Sequence, residues 1–202
     1  MITYIIIGIT AVVSIIAFQQ REIFNQLKFN AYLIKEHKKY YRFLSYGLVH
    51  ADWGHLAINM FVLFSFGDIV SQFYDYHFGS KGIVYFLLLY IGGLGFSTLY
   101  DFGKFKNDPY YNAVGASGAV AAVVFASILL YPAGKIFLFF IPIGIPAPLF
   151  GVLYLVYSVY MGKKGTDNIG HTAHFFGAVY GLIFTIAIKP EFFTLFVQYF
   201  LG

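Results

Sequence analysis

Six long apolar stretches constrain the fold of this chain more than any other feature. They cover residues 2–18, 53–73, 83–100, 117–131, 148–161 and 168–188, and polar or Gly- and Pro-containing segments separate them. A chain that crosses the hydrocarbon core of a bilayer meets no water there, so it satisfies its backbone hydrogen bonds within helices. The sequence therefore predicts an all-α membrane protein with six transmembrane helices, forming a single domain over residues 1–202.

Composition supports a membrane protein. The chain is 59% hydrophobic, 22% aromatic and only 11% charged, more apolar surface than a water-soluble domain of this size can hide. Cysteine is absent, which excludes disulfides and thiolate chemistry. The net charge of +4 favours contact with anionic lipid headgroups. We expect no nucleic-acid partner, because no basic helix or stacking platform is visible.

Three segments outside the six stretches bear on the topology. The first stretch begins at Ile2 with no Lys or Arg before it and no small-residue cleavage site after it, which favours a retained helix over a signal peptide. Residues 19–49 are too charged to span a membrane and too apolar for a free linker, so we expect a partly embedded interfacial element. The tail at 192–201 is apolar but too short to cross.

Polar side chains lie at corresponding depths in three predicted helices, each near the start of its helix. Ser117 lies in the frame Gly115-Ala116-Ser117-Gly118, His174 lies in the last helix, and His55 and Asn59 are four residues apart in the second. Such residues are costly in lipid and mark a functional site by default. In the last helix, Ala173, Gly177 and Gly181 form a small-residue stripe that lets helix backbones approach closely. If that helix packs on the fourth, His174 reaches Ser117.

These residues are the parts needed for acyl transfer. Ser117 is the candidate nucleophile and His174 the candidate base, while His55 and Asn59 project from one helical face and can donate to one oxyanion. Gly115 and Gly118 keep side chains away from an approaching peptide. Two acidic residues are poorly placed to orient His174. Asp167 lies two helical turns before it on the same helix, and Asp68 belongs near the far end of the second helix. A Ser-His dyad is therefore favoured over a triad.

Each of these features also has a purely structural explanation. A lone GxSG can be a packing motif, and membrane histidines can be satisfied packing residues. The joint occurrence of the motifs favours catalysis. A metal site could draw on His50, His55, His171 and His174, but no HExxH motif is present and no glutamate lies next to these histidines. We expect no metal and no other cofactor.

Three ordered motifs resemble those of rhomboid intramembrane serine proteases. Residues 41–60, YRFLSYGLVHADWGHLAINM, resemble the family's first-loop and second-helix signature, in which an aromatic-Arg pair precedes HxxxxHxxxN. The GASG at 115–118 resembles the GxSG nucleophile motif, and 173–177, AHFFG, resembles the AHxxG motif. Six helices with an embedded first loop agree with the family's six-helix bundle, so we expect a rhomboid-like fold.

The resemblance implies a role for each matching residue. Ser117 would be the nucleophile and His174 the general base, with the oxyanion hole formed by His55, Asn59 and the Ser117 backbone N–H. Arg42 would help shape the first loop, and His50 would be a structural residue near the site. The loop 162–167, with Met161, would be a mobile cap over the site. His171, one turn before His174 and nearer the aqueous mouth, matches the AHxxG motif less well.

One position departs from the family pattern. Many bacterial members carry a tyrosine four residues after the serine, packed on the catalytic histidine, where this chain has Ala121. Another aromatic is then needed to support His174.

The implied function is an intramembrane serine endopeptidase that cleaves single-span membrane proteins in or near their transmembrane helix. The alternative is an inactive rhomboid-like protein that binds membrane helices and directs their traffic. We expect a multi-pass protein of the bacterial cytoplasmic membrane. Its orientation is contested, because ten Lys and Arg residues lie on the site-bearing face against three on the other, and the positive-inside rule opposes the family's extracytoplasmic site.

Overall fold

The computed structural model describes residues 1–138, 142–165 and 169–201. The helices are α1 Ile2–Gln19, α2 Arg21–Leu27, α3 Ala31–His37, α4 Arg42–Ser45, α5 Trp53–Phe78, α6 Gly82–Ser97, α7 Leu99–Phe105, α8 Ser117–Leu130, α9 Ala147–Lys164, α10 His171–Ile188 and α11 Glu191–Leu201. Two short strands, β1 Lys135–Phe137 and β2 Gly144–Pro146, precede α9. The end of the bundle at which α5, α8 and α10 begin is called the mouth end below.

The helical architecture agrees with the prediction, and a helix stands at each of the six predicted positions. Three stretches are long and apolar enough to cross a membrane by length and composition, namely Ile2–Gln19, Trp53–Phe105 and His171–Ile188. The third predicted helix, 83–100, is divided, because α6 ends at Ser97 and α7 begins at Leu99. The predicted start of the sixth helix at 168 lies outside the described residues.

A small hairpin departs from the all-α prediction. The strands β1 and β2 pair antiparallel, with Lys135 opposite Pro146 and Phe137 opposite Gly144. The segment is apolar but interrupted by Gly144, Pro142 and Pro146, and proline removes helix hydrogen bonds. Pairing across a hairpin is the alternative way to satisfy backbone groups.

The tail, predicted as too short to cross, forms the 11-residue helix α11.

Helix α8 forms the centre of the bundle. Every residue from Gly118 to Leu130 is buried, as expected of a helix that is apolar on all sides. Its 14 residues extend about 21 Å at 1.5 Å per residue, less than the roughly 30 Å of a bilayer's hydrocarbon core. If the far end of α8 lies at one membrane border, its first residue, Ser117, lies below the opposite surface.

Helices α8 and α10 approach each other through glycine. A Cβ atom added to Gly177 would overlap the carbonyl oxygen of Gly118, and one added to Gly181 would overlap the carbonyl oxygen of Ala122. No side chain other than hydrogen fits at either position without separating the two backbones. The predicted small-residue stripe therefore faces α8, and it brings the mouth ends of both helices together.

The first loop folds as a compact, partly buried unit. Phe29 and Ile34 are completely buried, and the rings of Phe29 and Tyr46 lie 6.0 Å apart edge to face. The buried Arg42 guanidinium donates to the backbone carbonyls of Lys28 at 2.5 Å and Asn25 at 3.0 Å. These charge-assisted bonds tie α2 to α4 and give the loop a defined shape.

The glycine contact predicts a specific loss of stability. We expect Gly181→Ala to cost about 1–3 kcal/mol, as overpacking of a tight contact does, and to lower the melting temperature in detergent by about 2–10 °C. The matched control is Gly8→Ala in α1, where an added Cβ meets nothing within 4 Å. An equal melting temperature for the two variants in a thermal-shift measurement would contradict the packing.

Candidate active site

The segment that leads to Ser117 is held by the first loop. Phe29 and Ala113 exchange two backbone hydrogen bonds, of 2.9 and 3.2 Å, as an isolated antiparallel bridge. Two residues further on, the N–H of Gly115 donates to the carbonyl of Tyr46 at 3.0 Å. The segment before Ser117 is thus fixed at two points by backbone bonds, which do not depend on side-chain rotamers.

Asn30 is a second anchor that the sequence analysis missed. Its buried side-chain amide donates to the carbonyls of Pro109 at 3.0 Å and Tyr111 at 3.2 Å, while its oxygen accepts the N–H of Leu33 at 2.8 Å. One residue therefore caps α3 and binds the segment before Ser117. An asparagine directly before a helix is a capping signal. The long-range half of its role leaves no trace in the local sequence.

His50 connects helix α1, the first loop and the segment before Ser117. Its Nε2 accepts the N–H of Ala116 at 3.3 Å, and its Nδ1 lies 2.9 Å from the hydroxyl of Ser14, which donates to the carbonyl of Leu48 at 2.8 Å. The only consistent tautomer carries its proton on Nδ1. Complete burial lowers the pKa of His50 to about 3, so the ring stays neutral. These contacts are structural and lie one residue from Ser117.

The two glycines around the serine are required for different reasons. Gly115 has φ of +108°, a backbone conformation that favours glycine, and a Cβ there would lie 2.5 Å from Cε1 and 2.7 Å from Nε2 of His55. A Cβ on Gly118 would overlap the Ser97 side chain of α6. Gly115 therefore leaves room for the His55 ring beside the segment that leads to Ser117, and Gly118 lets α8 pack on α6.

His55 and Asn59 lie at the mouth end of α5. The Asp52 carboxylate caps this helix by accepting the N–H of His55 at 2.8 Å. Nδ1 of His55 faces the N–H of Ala51 at 3.5 Å, which favours a proton on Nε2, the nitrogen that faces Gly115. Asn59 is buried and donates one of its two amide hydrogens to the His55 carbonyl at 2.8 Å. Each side chain thus retains a donor, and that of His55 lies beside Gly115.

Ser117 and His174 are in hydrogen-bonding contact. His174 Nε2 lies 2.8 Å from Ser117 Oγ, between the first residue of α8 and the first turn of α10. A neutral imidazole with Nε2 unprotonated accepts the hydroxyl proton in this arrangement. Ser117 is also the first helical residue, so its N–H has no partner within α8 and can face a ligand. Asp167, considered as an orienting acid, lies outside the described residues.

An aromatic ring from α9 supports His174. The Tyr154 ring stacks on the imidazole with 6.4 Å between centroids and 26° between planes, and its other neighbours include Phe125 at 5.6 Å. This ring contacts His174 as the tyrosine of the family pattern was expected to do, at whose position this chain has Ala121, buried in α8. The sequence analysis did not single out Tyr154, because the ring comes from a helix that carries no motif.

His171 occupies the neighbouring turn of α10. It was expected nearer the aqueous mouth, and it is the first residue of the helix, but it is buried. Its ring meets Tyr157 edge-on at 5.4 Å and His174 at 6.1 Å. Among the described residues, no group of three or more His, Cys, Asp or Glu side chains is placed to hold a metal ion.

Comparison with known proteins agrees with this architecture. Residues 37–191 match the family model for the rhomboid domain. The chain is also 33% identical over 150 residues to "RHOMBOID-like protein 12, mitochondrial" of Arabidopsis thaliana, a match that covers 66% of this chain and 42% of that protein. The chain thus spans less than half the length of this relative.

The chain belongs to the rhomboid family, and it is an integral membrane protein with a rhomboid-like helical bundle. The family match covers the segment that contains all four polar site residues. A single domain over 1–202 stays a prediction.

The contact of Ser117 with His174 predicts which histidine activates the serine. We expect His174→Ala to lower the rate of fluorophosphonate labelling at Ser117 by about a hundredfold or more, the usual size of a general-base contribution. His171→Ala should still label, because the imidazole in contact with Ser117 Oγ is that of His174. Intact-mass spectrometry gives both rates, and the reverse order of the two variants would contradict the arrangement.

The stacked ring predicts a smaller effect. An aromatic pair contributes about 0.5–1.5 kcal/mol beyond its buried area, so Tyr154→Ala should slow Ser117 labelling by about two- to tenfold. Tyr154→Phe keeps the ring and should label at the wild-type rate. Equal loss in both variants would assign the effect to the hydroxyl and refute the stacking role.

Proposed function

We propose that this protein is an intramembrane serine endopeptidase that cleaves single-span membrane proteins in or near their transmembrane helix. The observation that carries the proposal is the 2.8 Å contact of His174 Nε2 with Ser117 Oγ at the mouth end of a buried helix. A serine is a weak nucleophile until a base accepts its proton, and this contact supplies the base. Membership of the rhomboid family, which is rich in such proteases, gives independent support.

The proposed reaction has two halves. Ser117 Oγ attacks the scissile carbonyl as its proton passes to His174 Nε2, and the same proton then passes to the leaving amine as the peptide C–N bond breaks. Water next attacks the acyl-enzyme ester, giving its proton to His174, which returns it to Ser117 as the carboxyl product leaves. His174 alternates between neutral and cationic forms, and the stacked face of Tyr154 suits the cationic form.

The negative charge of each tetrahedral intermediate requires donors close to Ser117. The candidates are the Ser117 N–H, Nε2–H of His55 and the second amide hydrogen of Asn59. Gly115 leaves space for the His55 ring against the serine segment, as described above. Donors held in place before the reaction cost little reorganisation when the charge develops.

The depth of Ser117 restricts the substrate. A transmembrane helix hides its carbonyl groups in hydrogen bonds, so the segment that enters the site must unwind. We therefore expect small residues and helix-weakening Gly or Pro near the cut. The class of substrate stays a prediction. The location in the bacterial cytoplasmic membrane also stays a prediction, and the Arabidopsis relative is named as mitochondrial.

The direct test is cleavage of a model single-span substrate by purified protein in detergent. We expect wild-type protein to cleave and Ser117→Ala to leave the substrate intact, since the variant lacks the nucleophile. Cleavage that persists in Ser117→Ala would reject the assignment, and loss of wild-type cleavage with a metal chelator would favour a metalloprotease. Binding of the substrate with neither cleavage nor probe labelling would favour the helix-binding alternative.

The oxyanion assignment predicts a graded loss. Removing one oxyanion donor usually costs about 2.7–4 kcal/mol, or about a hundred- to a thousandfold in kcat. We expect losses of this order in Asn59→Ala and His55→Ala, with a smaller change in KM, because the donors act on the charged intermediate. Thermal-shift controls establish folding. Near-wild-type kcat in both variants would exclude the role.

A further inference from the structure

The charge of this protein is divided unevenly between its two ends. Among the described residues, the mouth end holds ten cationic and five acidic side chains, whereas the far end holds three of each. The far-end residues are Lys81, Lys135, Lys189, Asp68, Asp75 and Glu191. Among the described residues, the net positive charge therefore lies at the end where Ser117 and His174 meet.

Most of the mouth-end acids are engaged locally. Glu36 pairs with Lys35 at 2.8 Å, Asp52 caps α5, and Asp108 accepts the N–H of Tyr110 at 2.8 Å. Glu22 accepts from Gln26 within α2, and the buried Asp101 accepts the Tyr111 hydroxyl. Among the described residues, the ten mouth-end cations still outnumber these five acids by two to one, so this end keeps a net positive charge.

Six exposed cations at this end have no carboxylate within ion-pair distance in the described parts of the chain, and we call them the basic rim. They are Arg21, Lys38, Lys104, Lys106, Lys163 and Lys164. They come from four separate places, namely α2, the end of α3, α7 with the turn after it, and the end of α9. Three are held over aromatic rings of their own helices, with Lys164 5.9 Å from the Tyr160 ring centroid, for example.

Three members of the basic rim belong to elements that also contact the region of His174. Lys104 lines a cavity of about 220 Å³ together with His171, whose ring contacts His174. Lys163 and Lys164 end α9, the helix that carries Tyr154. A chain that reaches Ser117 from the membrane and continues into water leaves the protein at the mouth end, which carries this rim. If the far end of α8 lies at one membrane border, Ser117 lies about 9 Å below the opposite surface, and an extended chain at about 3.3 Å per residue covers that distance in about three residues.

We propose that the substrates of this protein carry an acidic segment directly outside their transmembrane helix, on the side to which the site opens, and that the basic rim binds it. The inference rests on the proposed protease function and adds a substrate class to it. Each exposed charge pair contributes little, but several act together on one flexible segment. Anionic lipid headgroups carry the same charge, and the experiment below distinguishes them from a substrate flank.

The test compares three single-span substrates with the same transmembrane helix and cut region. Their flanks are acidic, uncharged polar and basic, of equal length, and the assay uses an uncharged detergent. We expect kcat/KM to be about three- to tenfold higher for the acidic than for the uncharged flank, mainly through KM, and lowest for the basic flank. Added NaCl should shrink the differences, because salt screens exposed charges.

Charge-removing variants locate the effect. Lys163→Gln combined with Lys164→Gln should reduce the ratio of acidic to uncharged cleavage, and adding Lys104→Gln should reduce it further. The matched control, Lys81→Gln with Lys135→Gln, removes two exposed far-end charges and should leave the ratio unchanged.

The outcomes separate this inference from the proposed function. Equal cleavage of all three flanks overturns the inference and leaves the protease intact, whereas cleavage of none rejects the protease. A far-end variant that changes the ratio as much as the rim variant also overturns the inference. A third outcome also overturns the inference: added anionic lipid raises activity through the rim lysines, and the three flanks are cleaved equally. That result assigns the rim to lipid binding.

Discussion

The close contact of two helix backbones underlies the geometry of this protein. Helix α10 lies against α8 through Gly177 and Gly181, where any side chain would overlap a carbonyl oxygen. Ser117 and His174 stand at the mouth ends of these same helices, and the 2.8 Å contact between them follows from that approach. Without water to drive apolar association in a membrane, such close van der Waals packing is an important source of helix pairing.

The first loop completes what the helix contact begins. Backbone bonds from Phe29 and Tyr46, the Asn30 amide and the His50 ring hold the segment that enters α8 at Ser117. The same loop leads directly into α5 with His55 and Asn59. Ser117 and the candidate oxyanion donors are therefore set relative to each other by one folded unit, while α10 contributes His174.

Much of this was predictable from sequence because membranes restrict the choice of structure. Apolar stretches located the helices within a few residues, and the glycine stripe with His174 predicted the contact to Ser117. Long-range partners were not predictable from local patterns. Tyr154 reaches His174 from a helix without a motif, Asn30 binds a segment far along the chain, and the β1–β2 hairpin arose where prolines exclude helix.

The central claim is that the approach of α8 and α10 creates an activated serine. The most direct measurement is the rate of fluorophosphonate labelling at Ser117, below the melting temperature, in wild-type protein, Gly181→Ala and the control Gly8→Ala. Gly181→Ala keeps every polar site residue but separates the helices, so we predict slower labelling there and a wild-type rate in the control. Wild-type labelling in Gly181→Ala, with a folded protein, would contradict the account.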